Sequence, residues 1–190
     1  VQELLDGMGV PYTGADAAAS RAAFDKIVTK ERLVAAGLPT PDYRVLCGER
    51  VSPLPLPVVV KPACQGSTIG IHCVRTAEAW GAACADAGRY GRALVEAFIP
   101  GRELTVGVVG DTALPVGEIL APDAWYDYEA KYTSGKTRYV FPAELDASVA
   151  RRCRALAAET FRVMGCHGLA RIDFRLPDDN EPTILEINTI

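Results

Sequence analysis

The sequence predicts an α+β fold, or an α/β fold with a largely antiparallel sheet. Segments of strand character outnumber those with helical period, the connections between them are short, and amphipathic stretches with cap and stop residues flank them. At 190 residues, 49% apolar and 23% charged, the chain can bury a sizeable core as one domain or two small ones.

The first expected helix covers residues 1–8 and runs into Val10-Pro11-Tyr12-Thr13-Gly14. Helical stretches are predicted over residues 16–22 and 25–36, with Gly37 as the stop of the second and Pro39 and Pro41 beyond it. Pro53, Pro55 and Pro57 then exclude helix before the β-branched run Val58-Val59-Val60, so a buried strand is expected over residues 56–61. The polar, glycine-bearing segment 63–70 precedes a second strand over 71–74, which makes it a candidate hairpin tip. Thr76 is placed to cap a helix through residue 87 that ends at Gly88.

Strands are expected over residues 93–96, 104–109 and 114–120, with turns at Pro100-Gly101-Arg102 and Gly110-Asp111. A long amphipathic helix is predicted over 147–164, its apolar face marked by Leu156, Phe161 and Met164 and its stop by Gly165. The last predicted hairpin joins 168–176 to 183–188 across Asp178-Asp179-Asn180-Glu181. No internal repeat or low-complexity tract is present.

Composition narrows the partners. The net charge is −4 and the 20 basic residues form no run, which gives no electrostatic footprint for nucleic acid or an anionic membrane. No apolar run approaches the roughly 20 residues that span a bilayer, and a cytoplasmic location is expected. The six cysteines are dispersed, with no C-x-x-C pair, and read as small hydrophobes rather than a metal or disulfide framework. His72 and His167 stand in or beside apolar strands and read as core or edge residues. The chain opens inside a helix and stops just after a strand, which suggests a fragment.

Four groups of residues carry chemistry. If residues 178–181 form the final loop, Pro177 faces Pro182, Asp173 faces Glu186 and Arg171 faces Asn188, and period two puts the last four on one face. Such oxygen donors suit Mg²⁺; a solvated strand face with Arg171 paired to a carboxylate is the even alternative. Lys61 ends a buried strand and precedes a loop rich in N–H groups and hydroxyls, which can wrap phosphate, although a lysine at a strand end more often just snorkels. No Walker A pattern is present.

Glu96 and Glu103 bracket the apolar exit Ala97-Phe98-Ile99-Pro100-Gly101, fit either for an adenine edge and ribose or for two surface glutamates around a turn. The segment Tyr126-Asp127-Tyr128-Glu129-Ala130-Lys131-Tyr132 carries three tyrosines without a period, and is either a ligand-contacting loop or a packed aromatic corner.

Taken in order, GVPYTG (9–14), FDKIVTK (24–30), GLPTP (37–41), VVVKPACQGSTIG (58–70), LVEAFIPGRELTVGVVG (94–110), YDYEAKY (126–132) and GLARIDF with LEINT (168–189) resemble the ATP-grasp ligases, specifically the D-alanine–D-alanine ligase family. The resemblance covers nearly the whole chain, and YDYEAKY combined with RIDF and EINT is its specific part. It implies an ATP-grasp fold of two α+β subdomains gripping a nucleotide. Residues 24–100 would form the central subdomain and 101–190 the C-terminal one, with 1–23 a remnant of an N-terminal region and linker.

It also implies a site. Lys26, Lys61 and Lys131 would contact ATP phosphates. Glu96, Ala97, Phe98 and Ile99 would lie at the adenine and Glu103 at the ribose, with Trp125 and Phe174 walling the nucleotide. Asp173, Glu186 and Asn188 match ligands of Mg²⁺ or Mn²⁺. Arg171 would stand by the transferring phosphoryl group, Ser67 in the phosphate-covering loop and Tyr132 on the loop over the acceptor site, where a tyrosine favours a dipeptide product over a depsipeptide.

The implied reaction joins two D-alanines through an acylphosphate at the expense of ATP, for peptidoglycan precursors, and homodimerisation goes with the family. Cys64-Gln65 departs from the more usual charged pair in the loop, and the N-terminal glutamate-bearing domain and the segment following the EINT motif lie outside this sequence. Another carboxylate–amine ligase of the same fold, or an ATP-binding module without catalysis, are the rival expectations.

Overall fold

The computed structural model describes residues 1–120 and 138–189. Five helices are described: α1 (Gln2–Met8), α2 (Ala17–Phe24), α3 (Lys26–Ala35), α4 (Ala77–Gly88) and α5 (Ala147–Val163). The strands are β1 (Tyr43–Val45), β2 (Val58–Pro62), β3 (His72–Val74), β4 (Ala93–Ala97), β5 (Arg102–Val109), β6 (Thr112–Ala113), β7 (Gly117–Leu120), β8 (Arg138–Val140), β9 (Leu169–Leu176) and β10 (Thr183–Thr189). They form two antiparallel sheets, one ordered β1-β4-β2-β3 and one ordered β10-β9-β5-β7-β8 with β6 paired to β5. The α+β class with antiparallel ladders is as the sequence predicts.

The two central strands of the first sheet, β2 and β4, are buried on both faces, which is why β2 reads as a continuous apolar run rather than an alternation. Val58, Val60, Ala93 and Val95 pack against Trp80, Ala83 and Ala87 of α4. The opposite parity presents Val59 and Lys61 of β2 beside Glu96 and Leu94 of β4, their cross-strand partners; there Leu94 packs with Ile27 of α3 and with Ala63. The strand begins at Val58 rather than Leu56, since Leu56 is exposed before the chain enters the core. The segment after β2 is the hairpin tip the sequence predicts, with Val58 facing Val74 and Val60 facing His72.

The second sheet is two-sided in another way. Leu104, Val106 and Val108 of β5, with Ala170, Ile172, Phe174 and Leu176 of β9, face Cys153, Leu156, Ala157, Phe161 and Met164 on and beside α5. The same core takes in Ala15, Ala19, Ala22, Ala23 and Leu33, so α2 and part of α3 pack with the second sheet as well. The other parity, Glu103 and Thr105 on β5 and Arg171, Asp173 and Arg175 on β9, turns towards the first sheet.

Helix starts follow cap chemistry. Asp16 accepts from Ala19 N–H at 2.7 Å, and Asp25 accepts from Ile27 and Val28 N–H at 3.0 and 3.3 Å. Thr76 precedes α4 but makes no side-chain cap bond. Two expectations need correction. Only Cys153 and Cys166 are buried, with Cys73 and Cys84 half-buried and Cys47 and Cys64 exposed, so the cysteines are not mostly core hydrophobes. His167 is surface-exposed beside Asp16, whereas His72 stands on the edge strand β3 and pairs with Asp86. No described helix is long and apolar enough to cross a membrane.

Candidate functional site: a cleft between two sheets

A cavity of about 900 Å³ opens between the two sheets, lined among others by Lys26, Gln65, Gly66, Ser67, Thr68, Glu103, Thr105, Arg171, Asp173, Glu186 and Asn188. It continues into a narrower recess lined by Lys61, Glu96, Ala97, Phe98, Ile99, Arg175 and Leu185, with Thr68, Ile71, Glu103, Asp173 and Glu186 shared by both parts. Thirteen of the sixteen residues singled out from the sequence are described, and twelve of these line this one space. Trp125, Lys131 and Tyr132 lie outside the described residues.

The floor is the β9–β10 hairpin. Asp173 pairs with Glu186 and Arg171 with Asn188, the facing pairs that the sequence count gives. Towards the turn, however, Thr183 faces Arg175 and Ile184 faces Phe174, one residue out from the count that sets Pro177 against Pro182. A bulge between Ile184 and Glu186 absorbs the difference. The extra residue, Leu185, lines the recess.

Phe174, expected as a wall of the nucleotide site, is fully buried in the core on the α5 side of the sheet and lines neither part of the cleft. Period two explains the correction: a strand that points Asp173 and Arg175 into the cleft must point Phe174 away. Leu185 supplies the apolar surface that Phe174 does not.

Asp173 is the centre of the polar face. Arg171 donates to both its oxygens at 2.9 Å, Thr105 Oγ1 donates at 2.7 Å from the neighbouring strand, and Asn188 Nδ2 donates at 2.8 Å. Burial pushes the Asp173 carboxyl up from its ordinary value and the Glu186 charge adds to this, against the pull of Arg171. Hydrogen bonding to Asp173 raises the Arg171 guanidinium. Among the described residues no three His, Cys, Asp or Glu side chains gather as a closed metal site. The donors here are two carboxylates and an amide, an open, oxygen-only set.

The opposite wall carries the cations. Lys26 is 8% exposed at the start of α3, and its Nζ donates to the Gln65 carbonyl at 2.6 Å, which anchors the glycine loop. Burial pulls its pKa down, while Glu186 across the cleft pushes it up. Lys61 Nζ lies 2.5 Å from Glu96 Oε1, and Lys30 Nζ lies 2.7 Å from Glu96 Oε2. Glu96 is therefore held between two ammonium groups; burial opposes its ionisation, but the charges on Lys30 and Lys61 bring it down to about 2.

Past Glu96, the strand exit of Ala97, Phe98 and Ile99 forms the recess wall, and the Arg75 guanidinium sits 5.3 Å over the Phe98 ring. Glu103 faces Arg175 across β5 and β9, with an Nη2 to Oε2 distance of 3.5 Å.

The loop between the walls is strained. Ser67 and Thr68 adopt left-handed backbone angles, φ 56 and 66, although neither is glycine and Thr68 is β-branched. The Thr68 hydroxyl is buried and has no hydrogen-bond partner among the described residues. A strained segment at the edge of a cleft is a candidate ligand-contacting loop.

Lys30, Thr68, Arg175 and Leu185 escaped the sequence reading. Lys26 and Lys30 stand four apart and so share a helix face, which was the available signal for Lys30. The bulge that exposes Leu185 has none.

Two sheets closing on a lysine-, arginine- and carboxylate-lined cleft under a glycine loop define an ATP-grasp fold. The family described as D-ala D-ala ligase C-terminus matches residues 33–190, and the chain belongs to that family. It is 45% identical over its full length to a D-alanine–D-alanine ligase of Gluconobacter oxydans, of which it covers 65%, and 46% identical to one of Desulforudis audaxviator, of which it covers 66%. It superposes with a TM-score of 0.83 on a D-alanine–D-alanine ligase of Bacillus anthracis at 27% identity, covering 100% of this chain and 64% of that one. The chain thus spans just under two thirds of the length of these curated relatives.

Proposed function

We propose that this chain is the ATP-binding part of a ligase that joins two D-alanines to D-alanyl-D-alanine, a peptidoglycan precursor. The observation that carries the reading is the polar face of Arg171, Asp173, Glu186 and Asn188 set opposite Lys26 and the strained glycine loop, in a chain of the D-Ala-D-Ala ligase family. Residues 24–100 and 101–190 act as the two gripping subdomains, the arrangement supported by the two sheets facing one cleft.

The adenine lies in the recess. Backbone groups of Ala97 to Ile99 offer its edge hydrogen bonds, Phe98 and Leu185 give apolar contact, and Glu103, steadied by Arg175, receives the ribose hydroxyls. Lys26 and Lys61 neutralise phosphate oxygens, and the Ser67–Thr68 segment, which lines the cleft in a strained backbone, covers them. The donor set fits Mg²⁺ or Mn²⁺ held by Asp173, Glu186 and the Asn188 amide oxygen. When bound, the metal supplies charge neutralisation across the phosphates.

The carboxylate of one D-alanine attacks the γ-phosphorus, the bond to ADP breaks, and the resulting acylphosphate is attacked at carbon by the amine of the second D-alanine. Phosphate leaves and the amine loses a proton. Arg171, aimed along the floor by its two bonds to Asp173, holds the charge that develops on the transferring group. Tyr132, Lys131 and Trp125 complete the reading as acceptor-side and nucleotide-side residues. On this reading the enzyme is a cytoplasmic homodimer, as the family resemblance implies.

The test is ADP release by the full-length protein with Mg²⁺ and D-alanine, with the product identified by mass. Release that depends on D-alanine and yields the dipeptide is expected, and Asp173→Asn or Glu186→Gln should lower it by more than about 100-fold with the fold retained. Nucleotide binding without release, or turnover unchanged in both variants, would refute the assignment.

A further inference from the structure

We propose that Lys30 is a positioning residue that, through Thr40, ties the two walls of the nucleotide cleft together and fixes where Glu186 stands against Lys61. The inference rests on the ATP-binding reading above. Lys30 is 1% exposed on α3 and lines neither part of the cleft, so any part it plays in the site must run through other groups.

Two such routes leave its ammonium. In one direction Nζ lies 2.7 Å from Glu96 Oε2, whose other oxygen holds Lys61 at 2.5 Å at the end of β2. In the other, Nζ donates to Thr40 Oγ1 at 2.7 Å, and that hydroxyl donates onwards to the Ile184 carbonyl at 2.9 Å. A hydroxyl can accept from one group while donating to another, and Thr40 uses both capacities to link an ammonium of one wall to the backbone of the other.

The place where this route lands gives it meaning. Ile184 N–H donates to the Pro39 carbonyl at 2.9 Å, so the loop before β1 holds both backbone polar groups of Ile184 along the outer edge of β10. The next residue is the bulge. Ile184 faces Phe174, Leu185 is left over, and Glu186 returns opposite Asp173.

A bulge is one unpaired residue; here Leu185 and Glu186 both face the cleft, and moving the bulge by a single position would set Leu185 rather than Glu186 opposite Asp173. Clamping Ile184 pins the bulge, and with it both the recess wall and the carboxylate beside Asp173. An apolar residue at position 30 would fill the space without the desolvation that lowers the Lys30 pKa, but could not direct a hydroxyl.

A connected path is not yet coupling, so the experiment must separate positioning from general stability. In the full-length protein, Thr40→Val breaks the route while leaving the buried charges paired, Thr40→Ser restores the hydroxyl, and Lys30→Met removes the ammonium. Thr40→Val should weaken Mg²⁺-ATP binding, measured by displacement of a fluorescent ADP analogue, and raise KM for ATP, each by about tenfold. KM for D-alanine should stay within about twofold, with the melting temperature of the ligand-free protein little changed. Thr40→Ser should recover wild-type affinity, and Lys30→Met, where it folds, should reproduce Thr40→Val.

Wild-type ATP affinity in Thr40→Val, or a Thr40→Ser variant as defective as Thr40→Val, overturns the inference and leaves the nucleotide site standing. Absence of Mg²⁺-ATP binding by the wild-type protein overturns the nucleotide reading and this inference with it.

Discussion

Glu96 is 3% exposed and ionised between Lys30 and Lys61, so its contribution depends on both partners being charged. Replacing it by glutamine leaves two buried ammonium groups facing a neutral amide, and Glu96→Gln should cost roughly 3 to 5 kcal/mol in urea unfolding. Its pKa in the fold, about 2, lies below the ordinary 4.5. As pH falls the unfolded chain takes up the proton first, so the stabilisation is fully present above pH 4.5 and is lost between 4.5 and 2. The gap in stability between wild type and Glu96→Gln should close across that window; a constant gap would mean the carboxylate is not held by the two lysines.

Lys30 has the opposite sign. Burial holds it at about 8, below its ordinary 10.5, so between those values the unfolded chain carries the extra proton and stability gains as pH rises. That gain should be missing from Lys30→Met, and a wild-type slope in the variant would assign it elsewhere. The residues alone singled out Lys61 and Glu96, but a count along one chain cannot show that Lys30 on α3 packs against Glu96.

The final hairpin shows what a sequence can and cannot yield about an element. Alternation over 168–176 and 183–188 was enough to bring Arg171, Asp173, Glu186 and Asn188 to one face, since period two is a property of any strand. The bulge after Ile184 was invisible, because it is set by hydrogen bonds from residues 39 and 40, more than a hundred positions earlier. Hence Leu185 has no sequence signal, whereas the burial of Phe174 follows from period two alone and only the family resemblance set it against the nucleotide.

The β4–β5 turn offers a test at this scale. Gly101 has φ 110, and a Cβ there would lie 2.1 Å from the Leu176 carbonyl oxygen, a backbone atom that cannot swing aside. Its own carbonyl also accepts from Arg175 Nη1 at 3.0 Å. Gly101→Ala should therefore cost roughly 2 to 4 kcal/mol. At Gly117 a Cβ would meet the Phe141 ring at 2.0 Å, but that ring is 62% exposed and free to turn. Gly117→Ala should stay within about 1 kcal/mol of wild type. Equal losses for the two in thermal melts would contradict this distinction between backbone and side-chain obstacles.

Across the whole molecule, the site exists only where two sheets meet, so neither sheet alone contains it. The first supplies Lys61, Glu96 and the Ala97–Ile99 wall of the recess, the second supplies Arg171, Asp173, Glu186 and the Arg175–Leu185 wall, and the loop of residues 63–70 covers the join. A ligand that touches both walls should stabilise the whole by mass action, about 2.7 kcal/mol at a hundred times its Kd.

The change should also be concerted. Amide exchange in the full-length protein should slow together at residues 66–70 and at residues 184–188 when ATP and Mg²⁺ are added, if the former segment covers the phosphates and the latter carries the metal ligands as proposed. In Asp173→Asn the nucleotide contacts of the first wall survive but the metal face is weakened, so protection should persist near the recess and fall at residues 184–188. Protection confined to the first sheet in the wild type would mean that nucleotide binds one wall only, and that the two sheets do not grip it between them.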